Sequence, residues 1–560
     1  MKDNRFERLK ERTVRWVKHC SVVGSAGEVT MADLIFDDLA EIPYFKQNPE
    51  RLTRIPTSDD PADERYSILA HVSGKRRSGA KQPAVLIIGH FDTVEIDDFG
   101  PMKPFACEPE ELRALFLEQK DKFNEHFGAA GKRFVKDLEN PDYLFGRGAL
   151  DMKSGLAVAV ELLIEHAENP DAEGDILVLA LPDEEGNSAG MLSAVATLPA
   201  YAEKHRLDLR ACVNTDYHSA RYDGDPDPSI YLGTVGKIMP FFYIQGKETH
   251  AGGPFNGIDA NALAAAILRE IELNMTYADS DFDPPAAPPV SLKLSDLKVE
   301  YSTQTAGTAY VYFNFPLHVL EPVEVMDRML AAARIAADRV LGSLNIQYDI
   351  YADRCGFPET HQPKHESIPC ESLADYEARF AAAVGRDVFD ELKAEAETAA
   401  ATLSDDRDRT LAYIDYLQKR NPDRSPRIIA CFSPPYYPPN TTLRNKPFVA
   451  AVKRAKERMN EQATSEYTPR LNAYYPFISD SSYVAWPQEE RTEISLAKNM
   501  PGFGRTYRLP IGAMRELALP ALNAGVYGFE AHQYTERLDM NYSFNYLPEF
   551  LTYFLEDILR

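Results

Sequence analysis

The chain has 560 residues, a formal net charge of −25, 44% hydrophobic and 26% charged residues. That length exceeds one ordinary core, so two or more domains are expected. The acidic balance argues against a nucleic-acid partner, because phosphate binding needs a basic surface. No run of about 18 apolar residues occurs, so no membrane span is expected. The N-terminus, MKDNRFERLKERTVRWVKHC, reads as a charged amphipathic helix without the apolar centre of a signal peptide.

In chain order, AVLIIGH (Ala84 to His90) reads as a strand buried on both faces, the pattern of a parallel sheet. SGLAVAVELLIEHA after Asp151 reads as a helix, and GDILVLALP and RACVNTD as two further buried strands. Strands alternating with helices predict a doubly wound, mostly parallel α/β catalytic domain. The pattern changes after Gly236. KIMPFFYIQGKETH (strand), DANALAAAILREIELN (helix), TAYVYFNFPLHVL (strand), EPVEVMDRMLAAARIAADRVLG (helix) and NIQYDIYA (strand) predict an inserted, smaller α+β, ferredoxin-like lid or dimerisation domain. ADSDFDPPAAPPVS reads as a loop within it. Residues from about Cys355 onward are acidic, Ala-rich and helical, and elements resume at RIIACFSPPYYPPN. The expected division is therefore 1–236 and 426–560 for the catalytic domain, 237–354 for the lid and 355–425 for a helical insertion.

The six cysteines are scattered and include no C-x-x-C. They are expected as free thiols in a reducing compartment, the cytoplasm. Cys355, His361, His365 and Cys370 lie close together, but Pro363 and a spacing unlike any zinc finger make an ordinary loop the better reading.

VLALPDEEGNSAG sets Asp183, Glu184 and Glu185 in a row where a buried strand ends. Adjacent carboxylates repel unless something positive lies among them. In open α/β sheets ligands bind outside the carboxyl ends of the strands. His90 and Asp92 follow AVLIIG, Glu184 and Glu185 follow DILVLALP, Asp216 follows ACVNT, and His532 follows GVYGF. Asp151 lies in GRGALDMKSG, ahead of a helix. Singly, each has an ordinary role: core histidine, helix N-cap, solvated turn, loop cap, surface histidine. Jointly they bring two imidazoles and several carboxylates to one rim of one sheet.

That set suits two divalent ions of zinc, cobalt or manganese. Two His, one bridging Asp and two further carboxylates would hold the pair, with a hydroxide bridging the ions as nucleophile. One carboxylate must stay free as general base, and Glu184 and Glu185 divide those two jobs. Two rival readings stand beside this one: a non-catalytic metal-containing binding or regulatory protein, and a metal-free glycoside hydrolase using paired carboxylates.

GHFDTV, GRGALDMKSG, LPDEEGNSAG, VNTDYH, GKETHAGGPFNG and EAHQYTE span Gly89 to Glu536. In this order they resemble the zinc-dependent aminoacylase and carboxypeptidase-G type metallopeptidases, which include acetylornithine and succinyl-diaminopimelate deacylases. The chain looks most like the branch associated with bacterial arginine utilisation. The resemblance implies hydrolysis of an amide bond in a small N-acylated amino acid or short peptide. It implies His90 and Asp216 on one ion, Glu185 and His532 on the other, Asp151 bridging, and Glu184 as general base. Asp92 would accept the other ring N–H of His90, and the peptide after Asp151 would be strained or cis. His250 would reach the active site of a partner subunit and stabilise the oxyanion, implying a homodimer through the lid domain. Asp259 stands where the family usually has Asn, with Asn261 two residues on. The family's substrate-gripping Arg is not recognisable in AYVYFNFPLHVL, leaving Arg505 or Arg508 as substitutes, and FISDSSY supplies Asp480 in place of GGTD.

Overall fold

The computed structural model describes residues 4–75, 80–126, 128–222, 224–225, 227–280, 284–358, 367–461 and 467–560. They form two compact units: Met1–Thr234 with Asn440–Pro487 and Pro510–Arg560, and Val235–Pro439 with Gln488–Leu509.

The first unit is built on a nine-stranded sheet. Strand Gln82–His90 lies parallel between Asp175–Leu181 and Leu207–Asn214, and Ala521–Asn523 extends the parallel set. Tyr66–Ser73 and then Leu52–Pro56 add antiparallel on one side. Every residue of the two strands ending at His90 and Leu181 is buried, because helices cover both faces. Val85, Ile87, Ile176 and Val178 pack with helices Arg5–Val17, Lys153–Glu168 and Leu547–Ile558. Alternate residues such as Leu86, Ile88, Leu177 and Leu179 turn to the other face. This is the expected α/β arrangement, with one correction. His532 does not follow a strand of this sheet. It lies between Gly528–Phe529 and Arg537–Asp539, which with Tyr143–Phe145 form a separate three-stranded sheet.

The second unit holds a five-stranded sheet in the order Cys370–Ser372, Arg427–Tyr437, Gly236–Gln245, Thr308–Leu317, Val290–Asp296. Without the short edge piece Cys370–Ser372, this is the 4-1-3-2 antiparallel order of a ferredoxin-like unit. Two expectations change. NIQYDIYA is not a strand but the end of a helix running from Pro322 to Cys355. A capping box at Glu321 and Glu324 starts that helix and left-handed Gly356 (φ 67°) stops it; Gly342 is carried inside it and no proline follows Pro322 before Gly356. The alternation of Ile346, Tyr348 and Ile350 mimics strand periodicity on an extension that is largely solvent-facing. The last strand of the motif is instead Arg427–Tyr437, which pairs with Gly236–Gln245 and so belongs to this unit. The contact division therefore returns to the first unit at 440 rather than 426, and gives 488–509 to the second.

The helical segment between them is not a separate body. Tyr376, Phe380, Phe389, Tyr413, Ile414 and Leu417 cover one sheet face, against Phe241, Tyr243, Tyr310, Ile429 and Cys431. Phe241 and Tyr310 stack with centroids 5.6 Å apart and rings 4° from parallel. Burying each such aromatic side chain stabilises by about 1.5–3 kcal/mol.

The cysteine expectation is also corrected. Cys20 and Cys107 form a disulfide, with Cα atoms 5.8 Å apart and a sequence separation of 87. No local spacing announces it. The pair meets because the segment after the first helix lies along Thr93, whose N–H donates to Ser21 O at 2.9 Å. Cys212, Cys355, Cys370 and Cys431 are free. His361 and His365 lie outside the described residues. Four thiols should therefore react with a thiol reagent in denaturant without reductant, and six after reduction; six in both would remove the bridge.

Candidate metal centre

Glu184 and Glu185 reach the rim because the chain turns immediately after Leu181. Asp183 adopts a left-handed φ of 66°. Its N–H donates to Glu28 Oε1 at 2.8 Å, and its carboxylate pairs with Arg65 at 2.7 Å while accepting Ala189 N at 3.0 Å. Asp92 then holds the next two residues: Oδ1 accepts Glu184 N at 3.2 Å and Oδ2 accepts Glu185 N at 3.0 Å. The three consecutive carboxylates thus part company. Asp183 braces the turn, and the other two are aimed inward.

His90 is the last residue of its strand. Its Nδ1 lies 3.0 Å from the Asp92 main-chain carbonyl and 3.5 Å from the Asp92 carboxylate. The carbonyl can only accept, so Nδ1 carries the hydrogen and neutral Nε2 is bare. The implied Asp92 contact is therefore made chiefly by its backbone, because its carboxylate is occupied by Glu184 and Glu185. His90 Nε2 stands 3.0 Å from Asp151 Oδ1 and 3.9 Å from both Asp216 Oδ1 and Glu184 Oε2. His532 Nε2 stands 2.9 Å from both Asp151 Oδ2 and Glu185 Oε1.

Two donor groups result, His90–Asp151–Asp216 and Asp151–Glu185–His532, each with its ligand atoms within 4.8 Å of one another and with Asp151 common to both. The motif-derived residues His90, Asp151, Glu185, Asp216 and His532 are thus brought together in these two groups. The peptide Asp151–Met152 is cis. Asp216 is fixed by its neighbours: Oδ1 accepts Tyr217 N at 2.7 Å, and a Cβ at Gly525 would fall 1.6 Å from Asp216 O, so only glycine lets that loop pass.

Imidazole Nε2 atoms facing carboxylate oxygens near 3 Å need a proton or a cation between them. Asp151, Glu184, Glu185, Asp216 and Asp480 crowd around only two imidazoles. Burial and then neighbouring carboxylates push Glu184 and Glu185 above the usual range and Asp216 up to about 8. Against the opposing effect of burial, Asp151 and Glu185 drive His532 up to about 11, and the imidazoles hold Asp151 below its ordinary value. Mixed imidazole and carboxylate donors with this excess of negative charge fit two divalent cations.

Sequence reasoning left three supporting groups unassigned. Buried Lys153 donates to Trp16 O at 3.1 Å and His19 O at 2.7 Å, and burial pulls it down to about 7. Glu536 is fully buried beneath the Asp151 loop. Glu28 supports Asp183. Lys153 and Glu536 stood inside the quoted motifs, as charges with no solvent-facing role. Glu28 had no local sign.

His250 belongs to the second unit, where it is exposed and its Nδ1 accepts Gly252 N at 3.0 Å. Asp259 caps helix Ala260–Ile271, and the Asn261 amide donates to Asp296 at 2.8 Å. Arg505 is paired with Glu397, and Arg508 donates to Arg505 O. Neither arginine is free to substitute as a clamp without breaking these contacts.

Residues 86–490 match the profile of peptidase family M20/M25/M40, and the chain belongs to that family, a family of hydrolases of the peptidase and deacylase kind. It is 33% identical over 549 residues to uncharacterized protein YqjN of Bacillus subtilis (strain 168), covering 97% of this chain and 95% of that one. It is 30% identical over 550 residues to Protein RocB of the same organism, covering 97% and 94%. Succinyl-diaminopimelate desuccinylase of Acinetobacter baylyi (strain ATCC 33305 / BD413 / ADP1) is 26% identical over 291 residues, 50% of this chain and 64% of that one. Aminopeptidase PepT from Bacillus cereus ATCC 10987 shares the fold, with a TM-score of 0.50 and 13% identity over 99% of each chain. Among the described residues no helix is long and apolar enough to cross a membrane.

Burial raises Glu28, Asp480 and Glu536 to about 7 from ordinary values near 4. A carboxyl raised on folding favours the folded state fully below its unfolded pKa, and that contribution is lost as pH rises through the folded value. Metal-stripped protein should therefore lose stability in urea between about pH 4.5 and 7. Glu28→Gln should reduce that slope. A stability that rises over this window would contradict the burial of these groups.

Proposed function

We propose that the chain is a dinuclear metal-dependent amidohydrolase acting on a small N-acylated amino acid or short peptide. The observation that carries this is the pair of donor groups sharing Asp151, with Glu184 belonging to neither yet 3.9 Å from His90 Nε2. A ligand-only site has no need of a further inward carboxylate. His90 and Asp216 would hold one ion and Glu185 and His532 the other, with Asp151 common to both groups. Two divalent ions held there supply Lewis acidity and lower the pKa of water. Glu184 takes a proton from the attacking water as its oxygen bonds to the carbonyl carbon. It then delivers that proton to the leaving nitrogen as the C–N bond breaks. Zinc is the first metal to test, with cobalt and manganese as alternatives.

His250 is assigned to the oxyanion of the partner subunit's site, which requires a homodimer through the second unit. Two features support this: the exposure of His250, and an outer edge strand, Val290–Asp296, that leaves Leu292 51% exposed. The acyl group and amino acid follow from the family resemblance, and acyl derivatives of arginine and ornithine belong in the first panel. A cytoplasmic location rests on the same resemblance and on the four free cysteines. The Cys20–Cys107 bridge counts against it.

Glu184→Gln should keep its metal content and lose kcat by roughly 10²–10⁴-fold. Near wild-type turnover would remove Glu184 as the base. Chelation should abolish activity and zinc or cobalt restore it; chelator-resistant hydrolysis would favour the metal-free alternative. Separately inactive Glu184→Gln and His250→Ala chains should regain activity when mixed, since the hybrid dimer has one site with both groups. No recovery from a verified hybrid would refute the role of His250 across the interface.

A further inference from the structure

We infer that Glu536 is a positioning residue that sets the Asp151 carboxylate between the two donor groups and ties it to the loop bearing His532. This rests on the dinuclear reading above. Glu536 is 0% exposed. Its Oε1 accepts two consecutive backbone N–H groups, Leu150 at 3.0 Å and Asp151 at 3.2 Å. Those N–H groups are buried on a loop, outside any sheet or helix ladder, and need an acceptor. Its Oε2 accepts from Arg147 at 2.8 Å, on the same loop. Arg147, 1% exposed, donates its other arm to both oxygens of Asp98 at 3.0 Å each, and its N–H to Ala106 O at 2.8 Å. On the other side, Glu536 N donates to Gln533 O at 2.9 Å, closing the turn that follows His532.

One residue therefore joins Asp151, through its carboxylate, to the turn after His532, through its backbone N–H, with a sequence separation of 385 between Asp151 and Glu536. A neutral hydrogen-bonding group would satisfy the two N–H groups, but it would leave Arg147 as a buried cation with only Asp98 opposite. The Asp98–Arg147–Glu536 chain thus fixes the loop from the surface inward, and the placement of Asp151 follows from it.

The test is calorimetric titration of zinc into metal-stripped protein, with kcat and KM on the reloaded enzyme. Wild type should bind two ions; if it binds none, the dinuclear reading fails and this inference with it. Glu536→Gln should remain folded, bind zinc at least 10-fold more weakly, and lose kcat with KM changed less than threefold. Wild-type zinc affinity and kcat in that variant would overturn the positioning role while leaving the dinuclear reading intact. Glu161→Gln is the comparison for generic destabilisation, since Glu161 is a fully buried carboxylate paired with Arg8 and Arg12 away from the site. It should lower stability without changing zinc affinity, and an equal loss of affinity in both variants would also overturn the inference. If Glu536→Gln does not fold, Asp98→Asn decides: a weaker loss of zinc affinity supports the chain of contacts, and none refutes it.

Discussion

The site depends on a single carboxylate, Asp151, whose two oxygens each face an imidazole nitrogen, His90 at 3.0 Å and His532 at 2.9 Å. The other elements near the site either bring a donor side chain beside Asp151 or hold the loop that carries it. The central parallel strands bring His90, Glu185 and Asp216 to one end of the sheet, as the strand-end rule requires. The small three-stranded sheet brings His532 from another direction.

Around this bridge, buried charges are used where neutral groups would satisfy hydrogen bonding alone. Asp92 gathers the two glutamates through their backbone, Asp183 braces the turn with Arg65, Lys153 caps two carbonyls, and Glu536 gathers Leu150 and Asp151. Each such group is costly to bury and stays only where its partners are complete. The region is accordingly rigid by construction and intolerant of single losses.

Much of the site was legible because strand ends leave a local mark: a β-rich apolar run followed by a charged residue. The motifs in order pointed to the five side chains that the fold gathers into the two candidate donor groups. Asp92 does face the other ring nitrogen of His90, but chiefly through its main-chain carbonyl, since which of its oxygens meets the ring depends on backbone geometry that no spacing encodes. His532 was assigned to the wrong sheet because GVYGF is apolar in either setting. NIQYDIYA was misread because an exposed helix imposes no strict apolar period. The fourth strand of the second unit, in RIIACFSPPYYPPN, was given to the catalytic domain because some 70 residues separate it from its motif, and register is set by pairing rather than by proximity in sequence. The Cys20–Cys107 contact is likewise tertiary, with nothing local to reveal it.

The helices between 373 and 420 have one more consequence. A two-layer α+β unit normally keeps one broad face of its sheet open for contact. Here Tyr376, Phe380 and Tyr413 seal that face, while helices Ala260–Ile271 and Pro322–Cys355 lie on the opposite side. The sheet has become the filling of a three-decker slab, so another polypeptide can add to it only laterally, by hydrogen-bonding along a rim. Face-to-face stacking is closed to it, and any assembly through these strands must lengthen the sheet rather than thicken it.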